Sequence, residues 1–272
     1  MMIEILKALI LGIVEGITEF LPISSTGHLI VTERLINFKD VNELFTVIIQ
    51  LGAIFAVVWF YRKDLLEKTI GLFRRDTAAL NFWLILIIGT IPAGIIGLLL
   101  DKNMEKLAQP YFIAVALIVG GIILWFVDRK PASARTPHVD LAQISKKQAV
   151  LVGLGQSVAI IPGVSRSGAS IVSGLAVGLN RPTATALSFY LSIPVMILAS
   201  GYKLFKYGGE VSQISGGWPA IIIGVIVSFI TALFAITWLL RYIARHNFRG
   251  FAIYRIIAGF AILILILFSI IK

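Results

Sequence analysis

The amino-acid sequence predicts an all-α polytopic membrane protein that is built as an inverted-topology repeat. Three observations support this prediction. First, 58% of the 272 residues are hydrophobic and only 14% are charged, whereas a soluble domain carries about 25% charged residues. Second, the apolar residues lie in continuous runs rather than in the alternating pattern of an outer-membrane barrel. Third, one polar loop motif occurs twice, at equivalent places in the two halves of the chain.

Six apolar segments are long enough to cross a bilayer as transmembrane helices. Two further segments, 3–37 and 148–180, each contain an apolar helix, a loop of Pro, Ser and Gly, and a second short helix. This pattern is typical of a re-entrant hairpin, whose irregular backbone is tolerated where protein buries it or a cavity hydrates it. The six predicted spans are 44–61, 82–100, 111–127, 183–205, 218–240 and 250–271.

The similarity between the two halves extends beyond the loops. Each half, 1–128 and 148–272, contains one hairpin and three spans, and the polar segment 129–147 joins them. An odd number of spans reverses the orientation of the second half, which predicts an inverted repeat within a single membrane domain. The two hairpins should then enter from opposite faces, and their loops should meet near mid-membrane.

The positions of the basic residues indicate the orientation of the chain in the membrane and do not indicate a nucleic-acid partner. The net charge is +10, and the Lys and Arg residues concentrate in the short segments 62–75, 129–147 and 241–249. Such segments face the cytoplasm and meet anionic lipid, so both termini should face outward. We therefore expect a lipid bilayer and no nucleic acid. The chain has no cysteine, which excludes disulfides and thiolate metal sites.

Two carboxylates lie in the first hairpin, within an apolar run. Glu15 and Glu19 are four residues apart and share one face of a helix. A shared proton would relieve their repulsion, and so would a divalent cation such as Mg²⁺ or Ca²⁺. A helix end near a wet interface would explain one Glu. The pair, followed at once by a Ser-rich loop, indicates a functional site, because intramembrane ionisable groups usually mark function.

The two polar loops have the features of anion-binding sites. Each precedes a short helix, whose first backbone N–H groups lack partners and attract anions. An N-cap at Thr26 would explain one hydroxyl but not three in a row. Arg166 stands where the first loop has Ser25, and its guanidinium matches the geometry of phosphate or carboxylate oxygens. A snorkelling role is the weaker explanation, because Arg166 lies in a loop between apolar helices rather than at the end of a span. The other predicted substrate-binding residues of the loops are Ser24, Gly27, Ser165, Ser167 and Gly168.

Four further polar residues are candidates of different strength. His28 alone would be uninformative, but next to two carboxylates and a Ser cluster it is a candidate acid, base or nucleophile. Gln50 lies in an apolar span, where a site role and a packing role are equally compatible with the sequence. Tyr254 and Arg255, early in the last span, are less specific candidates of the same kind.

The halves differ at the positions that carry chemistry. Gln156 and Ile160 stand opposite the two carboxylates, and Ala169 stands opposite His28, while only the second loop has an Arg. The first loop is therefore suited to hold a metal and move protons, and the second to clamp an anion. Together they predict one asymmetric site for phosphoryl chemistry, in which positioning and charge neutralisation do most of the catalysis.

At these residues the chain resembles the undecaprenyl-diphosphate phosphatase family of bacteria, the bacitracin-resistance type. The likeness covers essentially the whole chain, and one small departure is Ser170, where many members have Thr. The motifs that carry it are the segments 15–28, 162–170, 47–52 and 251–255.

This resemblance implies an integral enzyme of the bacterial cytoplasmic membrane. It would remove the terminal phosphate of undecaprenyl diphosphate, which recycles the lipid carrier of cell-wall polymers and confers bacitracin resistance. It also implies a divalent cation and a site that opens to the outer side. By the motif match, Glu15 and Glu19 bind metal or act as acid and base, Arg166 clamps the diphosphate, and Ser25 or His28 attacks or assists.

Two alternatives were weighed against this hypothesis. A lipid transporter or flippase would share the inverted repeat and the broken helices, so the sequence leaves it open. A type-2 acid-phosphatase-like enzyme is rejected, because Val172 stands where its downstream His should be and its nucleophilic His would lack partners. The sequence leaves open whether the chain forms a homodimer.

Overall fold

A computed structural model describes residues 2–104, 107–128 and 141–271. Within these ranges the regular structure consists of α-helices and short 3₁₀ turns, as predicted. Most of the predicted linker 129–147 lies outside the described residues. Its last residues are described, and the first helix of the second half begins there, at Lys146.

Eleven α-helices cover most of the described ranges. The first half contains α1 (Met2–Thr18), α2 (Ser25–Ile36), α3 (Leu44–Phe60), α4 (Arg62–Phe73), α5 (Thr77–Met104) and α6 (Pro110–Val127). The second half contains α7 (Lys146–Ser157), α8 (Arg166–Ala176), α9 (Arg181–Tyr207), α10 (Gly217–Ile243) and α11 (Arg249–Leu267).

The predicted spans fall on long apolar helices. Five of the described helices, α5, α6, α9, α10 and α11, are individually long and apolar enough to cross a membrane. The sixth predicted span is α3, which is shorter and bends by 72° into α4 at Tyr61. By length and composition, the described residues thus contain five candidate membrane-crossing helices, or six if the bent pair counts as one span. Several helices extend beyond the predicted limits, for example α5, which begins at Thr77.

Each hairpin packs mainly on a helix of the opposite half. Helix α1 lies against α10, and α7 lies against α5. A Cβ atom added to Gly12 of α1 would lie 2.8 Å from the carbonyl oxygen of Gly224, and one added to Gly153 of α7 would lie 2.4 Å from that of Gly89. Such close backbone approach needs small residues. The two contacts use equivalent glycines of the two halves. That the halves have inverted topology, and how they are oriented in the membrane, stays a prediction.

The core lies between the halves, and the outer helix faces are apolar. Helices α3 and α9 cross at the centre, α6 pairs with α11, and the ring of Phe20 packs edge-on against Phe189 at 5.2 Å between ring centroids. Large exposed hydrophobic side chains follow α5, α6, α10 and α11, as expected for lipid contact. This arrangement buries the first polar loop inside the helical bundle and leaves the second loop partly buried beside it.

Candidate active site

The two loops end in the same kind of helix cap. Ser24 has φ +73° and its hydroxyl accepts a hydrogen bond from the Gly27 N–H at 3.3 Å. Ser165 accepts in the same way from the Gly168 N–H at 3.0 Å. The caps start α2 at Ser25 and α8 at Arg166. The N-cap is therefore Ser24 rather than Thr26, and each loop presents the free N–H groups of a first helical turn.

One carboxylate connects the two loops. Glu19 accepts a hydrogen bond from the Ser25 hydroxyl on one oxygen. On its other oxygen it forms a salt bridge with Arg166 at 2.9 Å. Arg166 also donates to the carbonyl oxygen of Ser188 in α9 at 3.0 Å. The side chains of Glu19 and Arg166 are 5% and 13% exposed, so this contact between the two halves is almost shielded from solvent.

Glu15 lies one turn before Glu19 and has a different environment. It is fully buried, and neither of its carboxylate oxygens has a hydrogen-bond partner among the described residues. The charges of Glu19 and Arg166 both act on it. A buried carboxylate without partners is costly, so it calls for a proton or a cation. Its counterpart in the second repeat, Gln156, is also buried with both amide atoms unpartnered.

The carboxylate oxygens of the two glutamates are suitable ligands for a hard cation. Glu15 offers two unpartnered oxygens and Glu19 lies beside it, and carboxylate oxygens suit Mg²⁺ or Ca²⁺. The described ranges contain no cluster of three or more His, Cys, Asp or Glu residues that would bind such an ion. Hydroxyl groups, water or substrate oxygens would have to supply the remaining ligands.

A polar cavity of about 210 Å³ lies where the loops meet. Gln50 lines it, so the structure places this residue at the site, although the sequence left its role open. The other lining residues are Glu19, Ser24, Ser25, Thr26, Ala159, Ile161, Pro162, Gly163, Val164, Ser165, Arg166, Met196 and Ala199.

Three predicted substrate-binding residues are used in the loop framework and do not line this cavity. The N–H groups of Gly27 and Gly168 donate to the capping serines. Ser167 is fully buried, and its hydroxyl lies 2.9 Å from that of Ser165 and donates to the Leu21 carbonyl at 2.8 Å. These contacts hold the second loop against the first. The structure thus shows a framework role for Gly27, Ser167 and Gly168, and their contact with substrate stays a prediction.

His28 is oriented towards α11. Its Nδ1 lies 2.7 Å from the Ser24 carbonyl oxygen, which can only accept, so Nδ1 carries a proton. Its Nε2 lies 2.7 Å from the Tyr254 hydroxyl, which donates to it when the ring is neutral, and the two rings stack at 5.6 Å. His28 was a candidate acid, base or nucleophile by sequence, and in this geometry the hydroxyl of Ser25 donates to Glu19 rather than to His28.

Arg255 is a site residue whose role the sequence did not reveal. Its side chain is buried and donates to the carbonyl oxygens of Pro22 in the first loop, at 3.1 Å, and of Gly163 in the second loop, at 3.4 Å. It also donates to two carbonyl oxygens of α6, at Ala116 and Leu117. The sequence shows a cation within an apolar span, but only the fold shows that it joins both loops.

Comparison with known proteins identifies the family. The sequence model described as bacitracin resistance protein BacA matches residues 8–261, which include both loops and every cavity residue. The chain belongs to the BacA family. This membership confirms the resemblance that the two motifs indicated.

Relatives of this BacA-family chain are similar to it over nearly its whole length. A protein of Nitrosospira multiformis is 46% identical over 264 residues, which are 96% of this chain and 94% of the relative. One of Acinetobacter baumannii is 45% identical over 267 residues, 97% of each chain. One of Deinococcus radiodurans is 44% identical over 267 residues, 96% of this chain and 95% of the relative. All three are named undecaprenyl-diphosphatase.

Proposed function

We propose that this protein is an undecaprenyl-diphosphate phosphatase, which hydrolyses undecaprenyl diphosphate to undecaprenyl phosphate and phosphate. The observation that carries the proposal is the position of Glu19, which is bonded to a hydroxyl of one loop and to the guanidinium of the other. This contact supports a site in which Glu19 is the proton acceptor, Ser25 the nucleophile and Arg166 the anion clamp around one cavity. The names and the extent of similarity of the BacA-family relatives support a hydrolase rather than a transporter alone.

The proposed mechanism uses Ser25 as the nucleophile and Glu19 as its base, and the hydrogen bond between them supports this choice. Ser25 would attack the terminal phosphorus while Glu19 accepts the hydroxyl proton. The bond between that phosphorus and the bridging oxygen would break, and undecaprenyl phosphate would leave. Glu19 would pass the serine proton to the oxygen of the leaving undecaprenyl phosphate. Ionised again, it would take a proton from the water that attacks the phosphoserine, and phosphate would leave as the Ser25 oxygen recovers that proton from Glu19. Direct attack by water that Glu19 deprotonates is the variant of this scheme.

Arg166 would stabilise the charge that develops on the phosphate. In the structure its Nη2 is bonded to Glu19 and its Nη1 to the Ser188 carbonyl. Once Glu19 has taken up a proton, its attraction for the guanidinium falls, and Arg166 is free to pair with the phosphoryl oxygens. The N–H groups at the starts of α2 and α8 add further donors for the anion.

Glu15 and Glu19 are the residues that would hold a divalent cation. When bound, such an ion would neutralise part of the diphosphate charge. The support is the unpartnered, fully buried carboxylate of Glu15. We expect a chelator to reduce phosphate release and added Mg²⁺ or Ca²⁺ to restore it. Activity that is insensitive to exhaustive chelation would contradict this part of the proposal.

The central experiment measures phosphate release from undecaprenyl diphosphate by the purified protein in detergent, without a vesicle or gradient. Ser25→Ala should reduce the rate by a factor of about 10² or more, since the nucleophile is lost. Ser173→Ala is a matched control, because this serine also lies on a short hairpin helix but bonds only within it, to the Ala169 carbonyl. Absence of hydrolysis by the wild-type protein would reject the enzyme and favour transport.

We also propose that the protein lies in the bacterial cytoplasmic membrane and that the polar cavity opens to the outer side. The support is the excess of Lys and Arg in segments 62–75, 129–147 and 241–249, which the predicted topology places on the side of the membrane opposite to the cavity opening. The chain has no cysteine, so single cysteines can report on sidedness. An impermeant maleimide on intact cells should label Thr26→Cys, in the cavity, and not Glu67→Cys, on exposed α4. The reverse pattern would invert the topology.

A further inference from the structure

A second polar cavity lies at the junction of α3 and α4, away from the two loops. It encloses about 310 Å³ and shares no lining residue with the cavity between the loops. Three aromatic rings, one acidic side chain and one basic side chain line it, and we call it the aromatic cavity. Its lining residues are Tyr61, Asp64, Lys68, Phe82, Leu141, Ala186 and Tyr190.

Helix α4 has the features of a helix that lies in the membrane interface. It turns by 72° from α3, so it runs across the direction of that span. Its exposed apolar side chains, Leu66, Ile70 and Phe73, are spaced so that they share one helix face. A short amphipathic helix of this kind places its apolar face against the acyl chains of the lipid. The aromatic cavity, at the start of this helix, is therefore at the level of the lipid headgroups.

The carboxylate of the aromatic cavity is held among aromatic rings. The Tyr190 hydroxyl of α9 donates a hydrogen bond to one oxygen of Asp64, and the other oxygen can accept from a ligand. The rings of Tyr61 and Tyr190 lie 4.5 Å apart between centroids and are inclined by 44°, and Phe82 is nearly perpendicular to Tyr190 at 5.1 Å. Aromatic faces attract cations. Rings and a carboxylate around one space are therefore suited to an organic ammonium group.

The charges of the cavity favour a ligand that carries both signs. Lys68 lies one turn after Asp64 on α4 and lines the same space. A simple cation would be repelled by the lysine, and an anionic headgroup would be repelled by the aspartate. A zwitterionic phospholipid headgroup has an ammonium for Asp64 and a phosphate for Lys68. A primary ammonium also donates N–H bonds to the carboxylate, whereas a trimethylammonium group has no N–H.

We propose that the aromatic cavity binds the ethanolamine headgroup of a membrane phospholipid. The ammonium lies between Asp64 and the aromatic rings, and the phosphate lies at Lys68. This binding does not depend on the proposed phosphatase function. It has a consequence for the active site, because Tyr190 lies two residues after Ser188, whose carbonyl oxygen accepts a hydrogen bond from Arg166. A bound lipid that holds α4 against α9 stabilises the helix that positions this arginine.

The test measures the thermal midpoint of the purified protein in detergent during titration with lipid. Phosphatidylethanolamine should raise the midpoint, because a ligand that binds the folded state stabilises it. Phosphatidylcholine with the same acyl chains should have a smaller effect, and phosphatidylglycerol should have the smallest. Soluble glycerophosphoethanolamine, which has the headgroup without the chains, should bind more weakly than the lipid, since the chains keep the headgroup at the interface.

Matched variants connect the effect to the cavity. Asp64→Asn keeps an acceptor for the Tyr190 hydroxyl and removes the charge, so the apparent affinity for phosphatidylethanolamine should fall about tenfold. Tyr61→Leu removes a ring face and should also weaken binding, while Tyr61→Phe should retain it. Glu67→Gln, at an exposed position of the same helix, is the control. Each variant is compared with and without lipid, so a change in its own stability does not affect the result.

Three results would overturn the proposal. Equal stabilisation by the three lipids would show a general effect of lipid around the helices. An unchanged affinity in both Asp64→Asn and Tyr61→Leu would show that the ethanolamine lipid binds elsewhere. Equal affinities for glycerophosphoethanolamine and for the lipid would make the ligand a soluble molecule. Each readout is independent of phosphate release, so failure of the proposed phosphatase function would be a separate outcome.

Discussion

The two hairpin loops share a backbone frame and differ in the side chains they present. Ser24 and Ser165 cap the following helices through the same hydrogen bond. The first loop adds a carboxylate and a serine hydroxyl, and the second adds Arg166. The cap is retained because it defines where each short helix starts. The differing positions carry the chemistry, since only unequal loops can place a base and a cation on one substrate.

The largest effect is expected at the contact that joins the loops. Glu19→Gln keeps the shape of the side chain and removes the proton acceptor of Ser25 and the charge that pairs with Arg166. Phosphate release should fall by a factor of about 10² to 10⁴. Glu67→Gln, at an exposed position of α4, is the control. Retention of near wild-type activity by Glu19→Gln would remove the assigned base.

The second loop can be tested at Arg166 itself. Arg166→Ala should lower kcat by a factor of about 10² to 10³, as expected for the loss of a group that stabilises the transition state. Arg166→Lys keeps the charge without the fork that reaches both Glu19 and Ser188, so it should recover only part of this loss. Steady-state phosphate release from both variants shows how much of the role of Arg166 depends on its charge and how much on its forked geometry. Equal activities of the Ala and Lys variants would show that charge alone has no role.

A smaller effect is expected where the two loops are held together. Arg255→Gln removes a buried cation that bonds carbonyl oxygens of both loops. We expect the thermal midpoint in detergent to fall, with a loss of about 2 kcal/mol, because buried acceptors lose partners. We expect a larger change in kcat than in KM, since the two loops would no longer be held in position relative to each other. Arg249→Gln, at the start of the same helix and exposed, is the control. A variant with unchanged kcat and midpoint would contradict this positioning role.

The smallest effect is expected at the partner of His28. Tyr254→Phe removes one hydroxyl that donates to Nε2, while the Ser24 carbonyl still holds Nδ1. A single hydrogen bond corresponds to a change of about threefold, and we expect kcat/KM to fall by that amount. Tyr242→Phe, another stacked tyrosine remote from the loops, serves for comparison. A loss as large as that of Ser25→Ala would place this pair in the reaction itself.

The sequence predicted the helical class and the meeting of the loops because both follow from local patterns. Apolar runs defined the spans, and the doubled motif indicated which polar residues belong together. Glu19 and Arg166 are 147 residues apart, and the contact between them joins the two loops that were predicted to meet. The bend between α3 and α4 was not predicted, since nothing in the sequence around Tyr61 separates a bend from a span end.

The amino-acid sequence by itself determined the membrane class, the duplicated hairpin and the residue types of the site. These depend on composition, periodicity and alignment, which are properties of the chain. Only the tertiary structure decided the partner of each side chain: Glu19 rather than His28 for Ser25, both loops for Arg255, and the polar cavity for Gln50. Such choices depend on which helix faces cross, because a side chain of a few ångströms reaches only what packing brings to it.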